Sequence, residues 1–384
     1  MSKPICEGPA YSIMVNSLRS PKTKTEYSRY LTAFADWKDV KSLDDLLVND
    51  NEKLVKSDIM KYLLFLKDEK QLSSSTRSGV LSAIKHFYEM NDITLPWLQL
   101  QKFIGEHETV TEDRAYIYEE IQILLGIADI KYKAIILLMC SSAIRVGFIH
   151  SLKVGHLNKI PIHNIYKISV YKKSRQEYYT FCSPECYNAI NAYLSHRKAI
   201  GEGITPDSPL FRIDQQTDIE LIKDAQPLTY SAVKSRLRLL LLRSGLAKRH
   251  PINENNKNGR RRNEVASAHG YRKFAITQMG RAKMDGEIRE MLAGHKKWNY
   301  VYLKYSEEDL LQEYLKAVNL LTINEENRLK VKVNELEQKN LEIAQLKQQM
   351  EEMQEAKRDE ENEIDELAKK FERMEAYFNN KLDK

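Results

Sequence analysis

The sequence predicts a mainly α-helical chain: a helical N-terminal domain, a second α+β domain holding a small antiparallel sheet, and a C-terminal coiled coil. Three observations predict this. Apolar residues recur at helical spacing through most of the 384 residues. One stretch, 158–183, abandons that period for strand-like alternation. Residues 320–384 contain neither Gly nor Pro and carry a heptad-like apolar repeat.

Residues 1–100 form the first predicted domain, with 1–10 as an unpaired leader. From Lys22 onward Tyr27, Leu31, Phe34 and Trp37 share one helical face. Ser57-Asp58 offers a cap for a second helix with Ile59, Leu63 and Leu66 inward. Ser73 to Thr76 precede a third, with Val80, Ile84, Phe87 and Tyr88 inward, and Pro96 ends the region. Lys22, Lys24, Arg29, Arg77 and Lys85 are expected on the outside, where cations can follow a DNA backbone. Residues 101–113 are polar without an apolar period and read as a linker.

The second domain spans 114–320. A helix starts near Tyr118, and the run 134–140 is apolar on every side, which implies a buried helix. Arg145 follows that run and is therefore held by a rigid element. Tyr166, Ile168 and Val170 alternate with polar residues, and 178–181 forms a second β-rich run. Lys172, Lys173 and Arg175 lie on the basic turn between them. Helices are expected over 184–200 and 231–246. The loop 248–263 contains Arg260, Arg261 and Arg262, suited to phosphate contact. On the helix 267–280, His269 and Arg272 are three apart and share a face. His295 follows Gly294, and Tyr300, Tyr302 and Tyr305 cluster before a helix that starts at Ser306.

The tail, 324–380, reads as the coiled coil. Leu329, Val333, Leu336, Asn340 and Ile343 keep heptad spacing, and Leu346, Met350 and Met353 resume three residues out of phase. Lys357 and Glu360 interrupt the run before Ile364, Leu367, Phe371, Met374 and Phe378 complete it. Such a repeat joins protomers and is compatible with a dimer or a tetramer.

Charge divides the same way. Residues 324–384 carry 12 Lys and Arg against 17 Asp and Glu, while the remainder carries 48 against 37. A basic body suggests a polyanionic partner. The four cysteines, Cys6, Cys140, Cys182 and Cys186, are few for the length and fit a reducing interior. Cys182 and Cys186 lack the second pair of a zinc site, so no metal is expected. No apolar run is long enough to span a bilayer and no signal-peptide pattern opens the chain, so a cytoplasmic protein without a membrane partner is expected.

Arg145, Arg272, His269, His295 and a tyrosine make a set suited to a phosphodiester. Guanidiniums clamp non-bridging oxygens, imidazoles donate to them or move protons, and a phenol can hold phosphorus covalently. With the motifs in place, residues 20–320 resemble the tyrosine recombinase (phage integrase-type) family, in particular its archaeal integrases. The arginine box is similar to Ser142-Ala143-Ile144-Arg145, with Ala143 in place of a glycine and Phe148 in place of an acidic residue. The strand-turn lysine matches Lys172, with Arg175 where a base is common and Lys173 as the fallback. The His-x-x-Arg box matches His269 and Arg272, and the Gly-His box matches Gly294-His295. The family usually places its nucleophile nine residues beyond that histidine, which here is Lys304; Tyr302 lies at seven and Tyr305 at ten. Tyr302 fits the archaeal pattern better, with Tyr305 as the fallback.

The resemblance implies a helical core-binding domain followed by a catalytic domain. It implies a site-specific recombinase or integrase that cuts and rejoins double-stranded DNA through a 3′-phosphotyrosyl intermediate, as a homo-oligomer and with no cofactor, metal or ATP. Arg145, Arg272 and His295 would stabilise the phosphorane, His269 would assist proton transfer, and Lys172 would protonate the leaving 5′-oxygen. A non-cutting DNA-binding regulator on the same fold, a type IB topoisomerase-like relaxing enzyme and a coiled-coil assembly protein anchored to DNA remain as alternatives.

Overall fold

Short polar side chains start most of the helices, as their chemistry dictates: an oxygen one residue ahead of the first turn accepts one of its unpaired N–H groups. The computed structural model describes residues 7–48, 51–106, 113–172, 174, 177–214, 225–248, 263–295 and 305–382. The chain divides into two compact units. One is Met1–Asp113 with Ala247–Ala266, the other Arg114–Leu246 with Ser267–Lys384.

In the first unit α1 (Pro9–Ser17), α2 (Pro21–Trp37), α3 (Glu52–Asp68), α4 (Ser74–Met90) and α5 (Trp97–Gln101) surround one core. Ser20, Asn51 and Ser73 cap α2, α3 and α4. Leu31, Phe34, Ile59, Leu63, Ile84 and Phe87 are all fully buried there. Three details differ from the sequence expectation. Ala10 and Met14 are buried on α1, so the supposed leader already contributes to the core. The second helix starts five residues before Ser57, because Asn51 rather than Ser57-Asp58 caps it. Arg77 is buried rather than exposed: its guanidinium donates to the Leu72 and Ile104 carbonyls, tying a one-turn helix over Lys102–Ile104 onto the core.

The second unit is built around α7 (Ile130–Ser142), which follows α6 (Tyr118–Ile127) and is buried from Ala134 to Ser142. The short α8 (Val146–Ile149) leads into three antiparallel strands. These are β1 (Leu157–Ile160), β2 (Ile165–Val170) and β3 (Tyr178–Phe181), with β2 in the centre. Ile168 pairs with Leu157 on one side and Thr180 on the other. Then come α9 (Pro184–Ala199), α10 (Tyr230–Arg243), α11 (His269–Arg281), α12 (Gly286–Leu292), α13 (Glu307–Leu321) and α14 (Glu325–Leu382). No helix among the described residues is long and apolar enough to cross a membrane. The tail expected to form a coiled coil is a single continuous helix of 58 residues that the phase slip does not break.

A buried ionic triad closes the end of α9. Glu202 accepts from Arg197, at 2.9 Å through Nε, and from Arg212 Nε at 2.7 Å; all three side chains are less than a tenth exposed. Burial alone would raise the Glu202 carboxyl, but the two guanidiniums outweigh it and hold it below the usual carboxylate range. Glu202→Gln strands two buried cations and is expected to cost about 3–5 kcal/mol in urea unfolding at pH 7. Because the folded carboxyl is depressed, its contribution is complete above the unfolded value of about 4.3 and lost as pH falls through the folded one. The gap between wild type and variant therefore narrows below roughly pH 4.

Candidate active site

Two arginines and a histidine meet where three helix ends converge. α7 stops because Ala143 turns left-handed (φ 51°), and the chain re-enters a helix at Arg145, the residue before α8. That conformation suits glycine, and alanine holds it at a cost of roughly 1 kcal/mol. Arg145 is half-buried, and its Nη1 donates to the Gly294 carbonyl at 2.9 Å.

Arg272 lies in the first turn of α11 and is 4% exposed. It donates through Nη1 to the Ala143 carbonyl, and through Nη2 to the Ala293 carbonyl at 2.6 Å and His295 Nε2 at 2.7 Å. His295 Nδ1 lies 2.8 Å from Glu290 Oε2. A guanidinium can only donate, so Nε2 accepts and Nδ1 carries the proton that Glu290 receives. Burial, then the neighbouring Arg145 charge, push the Arg272 pKa down. Among the described residues no carboxylate bonds to either guanidinium; backbone carbonyls and His295 hold them instead. Positive charge is thus concentrated, with the nearest carboxylate, Glu290, one histidine removed, which is a seat for an anion.

Gly294 has two reasons to be glycine. Its φ is +68°, and a Cβ there would lie 2.4 Å from ring atoms of Tyr178. Tyr178, on β3, places its hydroxyl beside Arg272 and Arg145 with no hydrogen bond of normal geometry. Burial raises its phenol above the ordinary range, with Arg272 and then Arg145 opposing.

His269 is the exposed first residue of α11, one turn before Arg272 on the same face. Lys172 is exposed on the turn between β2 and β3. The root of that turn rests on Phe148, whose ring centroid is 4.7 Å from Tyr171 and 6.2 Å from His156. Burial, then Lys172 and Lys153, lower the His156 imidazole. Phe148 therefore supports the lysine-bearing turn where an acidic residue was expected.

Tyr305 is partly buried against the core that contains α12 and α13. Burial, then the carboxylates of Asp285, Glu287 and Asp309, push its phenol up. Tyr300, Tyr302, Lys173, Arg175, Arg260, Arg261 and Arg262 lie outside the described residues. Sequence reasoning missed Glu290 and Tyr178. Glu290 is five residues before His295, a spacing that gives no helical-face signal, and only the shared strand face of Tyr178 and Thr180 could have hinted at the second. Among the described residues no three His, Cys, Asp or Glu side chains converge as a metal site. Cys182 and Cys186 are buried thiols, and burial drives Cys186 far up.

The family described as the phage integrase family matches residues 113–310. No curated protein matches. Among solved structures, the integrase of the Tn1549 transposon in complex with transposon right end DNA is 14% identical, with a TM-score of 0.54, covering 80% of this chain and 98% of that one. The same integrase in complex with circular intermediate DNA gives 16% identity and a TM-score of 0.53, over 79% of this chain and 96% of that one. The XerA recombinase is 18% identical over 79% of this chain and 95% of its own, with a TM-score of 0.36. At these identities the Tn1549 likeness is one of fold.

Proposed function

The chain belongs to the phage integrase family, the tyrosine recombinases that cleave and rejoin DNA, and from that premise we propose that it is a site-specific recombinase with Tyr302 as its nucleophile. The observation that carries this is the pair of guanidiniums, Arg145 and Arg272, bound to carbonyls and His295 rather than to carboxylates. Such a pair favours the added charge of a phosphorane over the ground-state diester.

The Tyr302 oxygen attacks phosphorus, and the bond to the 5′-oxygen breaks. Lys172 gives that oxygen its proton, leaving a 3′-phosphotyrosyl link and a free 5′-hydroxyl. His269, at the positive end of α11, takes the phenolic proton or holds the phosphate. The 5′-hydroxyl of a partner strand then reverses the step, so the bond energy is conserved without ATP. Charge on phosphorus is met by side chains, so cleavage is expected to proceed in EDTA.

The helical first unit and the basic residues Lys173, Arg175, Arg260, Arg261 and Arg262 serve to hold the duplex. The order Tyr302-Leu303-Lys304 before Ser306-Glu307-Glu308 supports an archaeal-type enzyme of a mobile element, and the few cysteines fit a cytoplasmic one. The heptad repeat of the tail supports assembly on DNA through a coiled coil.

A duplex nicked just beyond the cleavage site, so that the short fragment bearing the new 5′-hydroxyl diffuses away, is the test. A protein–DNA adduct whose bonded peptide contains Tyr302 is the expected result, and specific binding without any adduct overturns the assignment. Glu290 acts as a positioning residue through the Nδ1 proton of His295. Glu290→Gln keeps an acceptor but loses the charge, and is expected to lower the single-turnover cleavage rate about tenfold. DNA affinity should be unchanged, which a merely structural role would not predict.

A further inference from the structure

The 58 residues of α14 form a helix about 87 Å long at the usual rise per residue, and among the described residues its large apolar side chains beyond Arg328 are exposed. Leu336, Leu346, Met350, Met353, Leu367 and Phe371 are each more than half exposed. A stripe of that length is an interaction surface. Its heptad positions identify the occupant.

From Leu329 to Ile343 the core positions alternate in steps of four and three, which puts Val333 and Asn340 at a and Leu329, Leu336 and Ile343 at d. One extra step of three at Ile343–Leu346 shifts the frame, and the four-three alternation then runs on. In a parallel pair each g residue faces the e residue five further along the partner. Glu325 then meets Lys330, and Lys332 meets Glu337, all exposed in the single helix. By sequence position Glu342 falls against Lys347 and Lys370 against Glu375, and no pair of like charges occurs in this relation. Lys330 now pairs with Glu326 at 2.7 Å on its own helix, an exposed contact easily exchanged. Asn340 at a meets its own counterpart only when the strands are parallel and in register. Lys357 and Glu360, also at core positions, disfavour larger bundles, whose cores are drier.

The root of the helix is fixed. The N–H groups of Ile323 and Asn324 donate to Glu185 at 2.7 and 3.1 Å, Gln122 donates to the Ile323 carbonyl at 3.1 Å, and the Arg328 guanidinium lies 4.2 Å from the centre of the Tyr118 ring. Each copy therefore carries its catalytic unit at the start of the helix.

We propose that α14 binds α14 of a second copy of this chain as a parallel, in-register, two-stranded coiled coil, with Asn340 facing Asn340 and both catalytic units at the same end. This deepens the recombinase reading by placing two active sites side by side, a consequence that rests on that reading, whereas the pairing itself does not.

The test uses the full chain. Sedimentation equilibrium is expected to give a dimer. Leu336→Cys is expected to form an interchain disulfide under mild oxidation, because parallel d positions face each other. Leu336→Glu with Leu346→Glu should halve the mass, and Asn340→Ile should admit larger species. A monomeric or tetrameric wild type, or a Leu336→Cys dimer that fails to cross-link, overturns the proposal. Adduct formation on a single nicked site is read in parallel. If the double glutamate variant is monomeric yet still forms the adduct, pairing and chemistry separate. If the wild type is a dimer and Leu336→Cys cross-links, yet neither forms an adduct, the pairing stands and the recombinase assignment fails.

Discussion

Tyr302→Phe is expected to abolish the covalent adduct, lowering cleavage by more than about 10³-fold, while Tyr305→Phe keeps most of it. A ring without its hydroxyl cannot bond to phosphorus, so the loss at the true nucleophile is complete rather than graded. The surroundings of Tyr305 argue against its taking that role. Its phenol is pushed up by burial and then by Asp285, Glu287 and Asp309. Those carboxylates would resist both the loss of its proton and the approach of a phosphate. Asp285 caps the start of α12, with Oδ1 accepting from Glu287 and Ile288 at 2.9 and 3.0 Å, whereas His295 lies beyond the other end. That helix alone separates the two by about 10 Å. An adduct that survives Tyr302→Phe and disappears in Tyr305→Phe would reverse the assignment.

The parts of the site that were legible in the sequence are those that local geometry enforces. An apolar run with no polar face had to be a buried helix, and α7 is one, so Arg145 had to sit at its edge. His269 and Arg272 at a spacing of three had to share a face of α11. What stayed hidden depends on partners distant in the chain. Arg77 read as a surface cation because nothing local reveals that the Ile104 carbonyl, 27 residues on, would receive it. Phe148 read as a departure from an acidic pattern; only the fold brings Tyr171 and His156 to its ring. Tyr178 stands in a strand where any aromatic would fit, and its place between two guanidiniums comes from Gly294 being bare on that side. Ser57-Asp58 read as the cap because the apolar face was counted from Ile59, whereas in α3 it already begins at Val55 and Asn51 is the cap.

Arg272→Lys is expected to lower cleavage by about 10²–10³-fold, the usual cost of one charge-stabilising donor at a reacting centre, while leaving DNA affinity within a few-fold. The charge survives the change, but the planar fork does not. Arg272 reaches the Ala143 carbonyl, the Ala293 carbonyl and His295 from one buried position. A single ammonium cannot bond all three and also meet a phosphate. The two carbonyls end the α7 turn and precede Gly294, so the variant also loosens the backbone that presents Arg145 and His295. Each carbonyl left bare costs about 1–3 kcal/mol, and thermal unfolding should report it. Arg145→Lys separates the two effects. Arg145 is half-buried and, among the described residues, bonds to the Gly294 carbonyl at 2.9 Å, so its loss should slow cleavage with little change in melting temperature. If Arg272→Lys melted early yet cleaved at the wild-type rate, its guanidinium would be a buttress only, and the phosphate would have to be held by Arg145 and the histidines.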